Sequence, residues 1–225
     1  MLEKTNHIII VMSYSYMSYS QCGEDVFIYN RYFKNKRDGV FIELGALDGK
    51  LYSNTKMFED VLNWSGILIE PHPLKFQALR VNRPKCFLFN DLVSSISDEV
   101  AFRYFLDGHA ALSGVENTIP KSHFAAWFDS DNCKHLLQNT INIKPKSLTE
   151  IITSTNIKHI DFLSLDVEGH EYEVLKSWDF SVPIDVILIE IIGVDDRNEL
   201  CRQILVENGY TFDGVFAHNE IFIRK

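Results

Sequence analysis

Cysteine is scarce in this sequence, and the four cysteines lie far apart. Cys22, Cys86, Cys133 and Cys201 form no CxxC pair, so the sequence indicates neither a zinc site nor the disulfide framework of a small secreted domain. We interpret them as free thiols of a protein kept in a reducing compartment. The 6 prolines and 11 glycines among 225 residues are too few for a collagen-like or low-complexity chain.

Long apolar runs are also missing. The short run at residues 8–12 falls well below the about 20 residues that a membrane-spanning helix needs. It is also short for a signal-peptide core, and it lacks a small-residue cleavage site. We therefore expect a cytoplasmic protein with no membrane association.

Basic residues are in the minority. The sequence contains 22 lysines and arginines but 31 acidic residues, which gives a formal charge of −9. A nucleic-acid-binding domain normally presents a basic face instead. We therefore expect no nucleic-acid partner. With 46% hydrophobic and 12% aromatic residues the chain is too apolar to be disordered. Its length suits one large domain at roughly 150 residues per domain.

Strand-like and helix-like segments alternate along the chain. A first helix, capped by Ser20, ends near residues 34–38. The remaining predicted helices are 53–63, 74–82, 147–155, 170–177 and 196–207. The predicted strands are 40–44, 66–70, 86–89, 160–165, 186–190, 210–212 and 221–224, with 100–105 as an antiparallel strand outside the main sheet.

This alternation predicts an α/β protein with a mostly parallel, seven-stranded sheet and helices on both faces. Only about eight residues separate the last two strands, whereas a parallel crossover needs about a dozen, so these strands should form an antiparallel hairpin. A Rossmann-like sheet that ends in such a hairpin is the outline of the class I methyltransferase fold.

Open parallel sheets bind ligands at the carboxyl ends of their strands. After the first strand, Gly45 and Gly49 form a GxxxG turn, which differs from the GxGxxG dinucleotide fingerprint. Glu43 and Asp48 flank this turn, and an acid there suits a cationic group such as the amino group of a methionine moiety. A tight turn without a ligand would explain the glycines alone.

Acids and amides also follow the next two strands. Glu70 ends the second strand at the place where these folds accept ribose hydroxyls, although a helix-capping role would also suit an acid there. Asn90 and Asp91 follow the third strand, where they could contact an adenine amino group, although polar residues are common in any turn.

The densest group of ionisable side chains follows the strand at 160–165. Asp166, Glu168, His170 and Glu171 lie within six residues, and crowded acids of this kind mark functional sites. We predict these four as catalytic, with either Asp166 or His170 as the base that takes a hydroxyl proton. A capped helix start is the structural alternative. Asp166, Glu168 and Glu190 could also hold Mg²⁺ or Ca²⁺, but hydroxyl recognition explains the acids equally, and we predict no metal.

Five segments in order resemble the FkbM family of S-adenosylmethionine-dependent methyltransferases, which act mostly on hydroxyl oxygens of sugars and natural products. They are SQCGED at 20–25, FIELGALDG at 41–49, SNT at 53–55, GILIEP at 66–71 and LDVEGHE at 165–171. In the last motif, His170 occupies a variable position. The resemblance implies S-adenosyl-L-methionine as cofactor and these cofactor-binding residues: Gln21, Asp25, Glu43, Gly45, Ala46, Asp48, Gly49, Asn54, Glu70, Pro71, Asn90, Asp91 and Asp166.

Three segments follow from this interpretation: an N-terminal arm at 1–19, one methyltransferase domain at 20–225, and within it a variable lid over the acceptor at 107–145. We expect O-methylation of a sugar or another small hydroxylated acceptor. A non-catalytic module that binds the cofactor or a glycan is the main alternative. A nicotinamide oxidoreductase ranks third, because the full dinucleotide fingerprint is absent.

Overall fold

Strands and helices alternate through most of the chain. A computed structural model describes residues 18–106, 108–128, 136–191 and 196–225. In these residues the α-helices are α1 (Glu24–Tyr32), α2 (Lys56–Leu62), α3 (Pro73–Asn82), α4 (Lys121–Trp127), α5 (Leu148–Ser154), α6 (Glu171–Lys176) and α7 (Asp196–Glu207). The strands are β1 (Val40–Leu44), β2 (Ser65–Ile69), β3 (Phe87–Phe89), β4 (Val100–Phe105), β5 (Gly114–Val115), β6 (Gln138–Ile143), β7 (Ile160–Leu165), β8 (Ile184–Glu190), β9 (Tyr210–Phe216) and β10 (Asn219–Arg224).

Seven of these strands form the main sheet, in the order β3-β2-β1-β7-β8-β10-β9. The first five pair in parallel, while β10 runs antiparallel to both β8 and β9. The predicted sheet with its antiparallel C-terminal hairpin is therefore confirmed. The chain turns outward from β1 to β2 and β3 and then returns to β7 on the other side of β1, which creates the crevice where open sheets bind ligands.

Alternate side chains of the central strands enter two separate apolar layers. On β1, Ile42 joins the layer that contains α5, α6 and α7 residues, and the adjacent Phe41 joins the layer that contains α1, α2 and α3 residues. This alternation is typical of strands covered on both faces. The helices therefore lie on both faces of the sheet, as predicted.

A second, smaller sheet stands beside the main one. As predicted, β4 is antiparallel and lies outside the main sheet; its partners are β5 and β6. The sequence showed no period across the predicted lid at 107–145, yet β5, α4 and β6 all lie there. Within that lid, residues 107 and 129–135, including Cys133, are outside the described residues.

Two helix starts differ from the prediction. Gly23, with φ of 90°, precedes α1, and Ser20 accepts a hydrogen bond from the Gly23 N–H at 3.1 Å instead of capping the helix itself. Helix α2 begins at Lys56, and the Ser53 hydroxyl accepts from the Lys56 N–H at 3.1 Å. In both places the hydroxyl sits one turn ahead of the helix.

Most of the predicted N-terminal arm, residues 1–17, lies outside the described residues. Among the helices that are described, none combines the length and the apolar character needed to cross a bilayer.

Candidate active site

A cavity of about 760 Å³ opens at the carboxyl ends of β1, β2, β7 and β8 and extends under the small sheet. Apolar side chains from both sheets form part of its wall, among them Leu44, Ile69, Phe102 and Val115. Its polar and ionisable lining side chains are Gln21, Tyr52, Glu70, Asp91, His109, Ser113, His123, Asp166, Glu168, His170, Glu190 and His218.

The turn after β1 approaches the end of β7 very closely. Gly45 has φ of +78°, and a Cβ at this position would lie 1.9 Å from the carbonyl oxygen of Asp166. Only glycine accepts both the backbone conformation and the contact. Gly45 thus lets the two strand ends meet and lines the cavity, as does Asp166.

Glu43 lies behind this turn and is absent from the cavity wall. Its buried carboxylate accepts hydrogen bonds from Ser53 Oγ (2.8 Å), the Asn54 N–H (2.6 Å) and Thr55 Oγ1 (2.7 Å). Burial raises the pKa of Glu43, opposed by Arg83 and by these hydroxyls. The geometry gives Glu43 a supporting position, joining the end of β1 to the segment that leads into α2.

Four further predicted cofactor residues also lie outside the cavity wall. Asp48 Oδ1 accepts hydrogen bonds from the N–H groups of Lys50 (2.9 Å) and Leu51 (2.8 Å) and so stabilises its own turn. Gly49 packs against α3 side chains, and Ala46 is buried in the core. Asn54 donates to Ser164 Oγ at 2.9 Å, which links it to β7.

Glu70 lines the cavity, and main-chain hydrogen bonds fix the position of its carboxylate. Its two oxygens accept from the main-chain N–H groups of Leu47 and His72, each at 2.7 Å. Burial raises the pKa of Glu70 to about 7 against the effect of these bonds. A carboxylate offers about four acceptor positions, so Glu70 keeps free positions for hydroxyl groups. Pro71 continues the same wall.

Asn90 and Asp91 have different positions. Asn90 donates to the Glu70 carbonyl at 2.8 Å and supports the loop, whereas Asp91 lines the cavity and pairs with Lys146 at 2.8 Å.

Gln21 and Asp25 are likewise separated. Gln21 lines the cavity. Asp25 is fully buried and accepts from Ser18 Oγ, the Tyr19 N–H and Ser20 Oγ at 2.6 to 2.9 Å. Asp25 therefore fixes the segment that carries Gln21.

Three carboxylates converge at the other end of the cavity. Asp166, Glu168 and Glu190, hereafter the acid cluster, have oxygens that all lie within 4.8 Å of one another. Burial, followed by mutual repulsion, raises the pKa of Glu190 to about 11, and burial also raises the pKa of Asp166 and of Glu168. The ends of β7 and β8 and the turn after β7 thus hold three half-buried acids next to one another.

Glu171 supports the turn that carries Glu168. Its Oε1 accepts from the N–H groups of Val167 (3.0 Å) and Gly169 (3.2 Å), and burial raises its pKa to about 7. Although the sequence predicts a catalytic role, Glu171 lies outside the cavity wall, in a positioning role at the start of α6.

His170 presents one ring nitrogen without a partner. The side chain is buried, and Nδ1 lies 2.9 Å from Thr118 Oγ1. The Thr118 hydroxyl donates to the Val115 carbonyl at 3.3 Å, so the hydroxyl accepts from Nδ1–H and Nε2 carries a lone pair. Nε2 has no hydrogen-bond partner. Burial, reinforced by Arg197, lowers the pKa of His170 to about 4.

The sequence analysis did not select several residues of the cavity wall. His109, His123 and Trp127 come from the predicted lid, and Tyr52 comes from the loop before α2. The only signal in the sequence was the unusual mixture of His and aromatic residues in a segment without a clear period. His218 reaches the cavity from the β9–β10 turn.

The sheet order, the crevice beside β1 and the acid after β2 define a class I S-adenosylmethionine-dependent methyltransferase. Residues 43–212 match the family model described as the Methyltransferase FkbM domain. The chain therefore belongs to the FkbM methyltransferase family, and the predicted cofactor, S-adenosyl-L-methionine, is confirmed at the level of the family.

Several solved structures align with the chain at low sequence identity. The FkbM methyltransferase of Methylobacillus flagellatus aligns over 99% of this chain with 13% identity and a TM-score of 0.51, and this chain spans 60% of that one. A TehB-like methyltransferase of Corynebacterium glutamicum aligns over 100% of this chain and 99% of its own, at 9% identity and a TM-score of 0.47. Aeropyrum pernix fibrillarin, solved with S-adenosyl-L-methionine bound, aligns over 89% of this chain and 72% of its own, at 12% identity and a TM-score of 0.47. No curated protein sequence matches the chain.

Proposed function

We propose that this methyltransferase methylates a hydroxyl oxygen of a sugar or of another small hydroxylated acceptor. The observation that carries the proposal is the set of hydrogen-bond acceptors at the β7–β8 end of the cavity. The acid cluster and the bare Nε2 of His170 can all accept from hydroxyl groups. An acceptor with several hydroxyls would satisfy these buried atoms, which an apolar acceptor would leave unpaired.

Acceptor positions and an apolar wall at the β1–β2 end of the cavity support the placement of the adenosine part of S-adenosylmethionine there. Glu70 offers free acceptor positions for a ribose diol, and Gly45 leaves room for the ligand close to the backbone. Leu92 and Val93 provide an apolar wall suited to a purine. When bound, this cofactor supplies an electrophilic methyl group on a sulfonium sulfur.

In this proposal His170 is the base that accepts the proton of the acceptor hydroxyl. Its Nε2 is unprotonated over the physiological range, and its Nδ1 is fixed by Thr118. A base held in one tautomer and one orientation contributes about 10²–10⁴-fold to the rate. Asp166, beside Gly45 at the meeting point of the two strand ends, is the alternative base. The acid cluster orients the acceptor at the β7–β8 end of the cavity.

The test compares His170→Ala and Asp166→Asn in an assay for S-adenosylhomocysteine release, with mass spectrometry of the product. The acceptor panel contains monosaccharides, glycosides and phenols, together with matched amines. We expect a methyl ether as product, loss of about 10²-fold or more in kcat for His170→Ala, and unchanged affinity for S-adenosylhomocysteine.

Methylation of the amines alone would contradict the proposal. Wild-type turnover in both variants would contradict the assignment of the base. Binding of S-adenosylhomocysteine without turnover on any acceptor would favour a non-catalytic binding module.

A further inference from the structure

The acid cluster brings three carboxylates together from two strand ends and one turn. Asp166 follows β7, Glu190 ends β8, and Glu168 lies in the turn between β7 and α6, in the left-handed region at φ of 56°. Within the part of the chain that the structure describes, no lysine or arginine forms an ion pair with any of the three carboxylates. Crowded carboxylates repel one another, so this cluster must either share a proton, as Asp166 and Glu190 do through their side-chain hydrogen bond, or bind a positive charge.

A largely buried histidine, His123, lies beside the acid cluster. His123, on α4, has a side chain that is only 9% exposed, and its Nε2 has no hydrogen-bond partner. This nitrogen lies 3.6 Å from Glu168 Oε2, too far for a hydrogen bond. Glu190 Oε2 is likewise buried without a partner. Helix α4 and the end of β8 thus each contribute an unpartnered ligand atom: that of His123 lies beside Glu168, and Glu190 belongs to the same cluster as Glu168.

The spacing of these atoms suits one metal ion. Two ligands about 2.1 Å from one cation lie about 3 Å apart at right angles and about 4.2 Å apart when opposite. The oxygens of the acid cluster, all within 4.8 Å of one another, fall close to this range, and His123 lies beside the cluster with Nε2 3.6 Å from Glu168 Oε2. Three carboxylates with one imidazole suit ions that accept both donors, such as Mn²⁺ or Zn²⁺.

We propose that the acid cluster and His123 form a divalent-cation site at the acceptor end of the cavity. The cation neutralises the three carboxylates and leaves coordination positions open toward the cavity. Building on the proposed function, these open positions would bind adjacent hydroxyls of the acceptor. Metal binding itself requires no acceptor and no turnover.

A second group of potential ligands provides a matched control. His159, Asp161 and Asp185 also lie within 4.8 Å of one another. There His159 is exposed, Asp185 is half-buried, and Asp161 is already paired with Lys36. Asp185→Asn and His159→Ala therefore report binding at this outer group.

The experiment titrates Mn²⁺ into the full chain and follows free Mn²⁺ by electron paramagnetic resonance, with Mg²⁺ and Zn²⁺ as competitors. We expect one site per chain whose affinity falls at least tenfold in Glu168→Gln and several-fold in His123→Ala. Asp185→Asn and His159→Ala should bind as the wild type does. Because amide substitution removes repulsion between the acids, Glu168→Gln should remain folded, which a thermal melt without metal verifies.

Added Mn²⁺ should also raise the melting temperature of the wild type but not that of Glu168→Gln. Absence of binding at millimolar Mn²⁺, equal binding by Glu168→Gln, or loss of the site in Asp185→Asn would overturn the proposal. Failure to methylate hydroxyls would instead contradict the proposed function and leave a measured metal site standing.

Discussion

The two ends of the cavity solve the problem of buried acids in opposite ways. At the β1–β2 end, Glu70 and Glu43 receive hydrogen bonds from main-chain N–H groups and hydroxyls of neighbouring loops. At the β7–β8 end, Glu190 and the two histidines His123 and His170 keep buried atoms without partners. The acids of the first end thus have protein partners, whereas Glu190 at the second end keeps a buried oxygen without one.

This difference indicates which end of the cavity has polar atoms that a ligand could satisfy. Unpaired buried polar atoms each cost about 1–3 kcal/mol, and three of the residues that carry them, His123, His170 and Glu190, line the cavity, where a bound ligand could offset that cost. Perturbed acids of this kind concentrate at functional sites. The cofactor end therefore depends on the shape of the backbone, and the acceptor end depends on the chemistry of its side chains.

The largest predicted effect comes from the backbone contact that joins the two ends. Gly45→Ala places a methyl group against the Asp166 carbonyl in a left-handed conformation. We expect the free energy of unfolding to fall by about 3 kcal/mol or more, as measured by urea denaturation. Gly209→Ala has φ of +89° but open space around it, so its cost should stay near 1 kcal/mol. Equal costs for the two variants would contradict the close contact.

The next prediction uses the pH dependence of the cofactor end. The pKa of Glu70 is raised to about 7 in the folded chain, so folding retains a proton that the unfolded chain loses above its ordinary pKa of 4.5. The stability that Glu70 contributes is full below pH 4.5 and is lost as the pH rises to 7. The slope approaches about 1.4 kcal/mol per pH unit.

Glu70→Gln should flatten this slope, measured by urea denaturation at pH 4.5, 6 and 7.5. Glu99→Gln, at an exposed position, should keep the wild-type slope. An unchanged slope in Glu70→Gln would show that the carboxylate is ionised throughout the range.

The smallest predicted effect concerns the orientation of His170. Thr118→Val removes the hydroxyl that fixes Nδ1 but keeps the shape of the side chain. A hydrogen bond of about 1 kcal/mol corresponds to a roughly fivefold loss in kcat, well below the loss expected for His170→Ala. A larger loss in Thr118→Val than in His170→Ala would assign the essential hydrogen bond to threonine.

The sequence was sufficient for the sheet and for the position of the site. Runs such as FIELG and GILIE mark buried parallel strands, and the carboxyl ends of parallel strands share one edge. That argument brought Glu70 and Asp166 to the same cavity. The role of Glu43 was not visible, because its partners come from a loop whose path depends on the packing of α2.

The lid was the other failure of sequence reasoning. Strand β5 has only two residues, and α4 has no fully buried side chain, so neither leaves a hydrophobic period to detect. The approach of His123 to Glu168 joins α4 to the β7 turn, and nothing local in either segment indicates that contact.

The central claim is that the two ends of the cavity have separate tasks, and calorimetric titration with S-adenosylhomocysteine tests it most directly. We expect Glu70→Ala to weaken binding at least tenfold, because the acid that would hold the ribose diol is gone. Glu168→Gln should bind within about twofold of the wild type while it loses methyl transfer. Weakened binding in Glu168→Gln together with wild-type binding in Glu70→Ala would contradict the account.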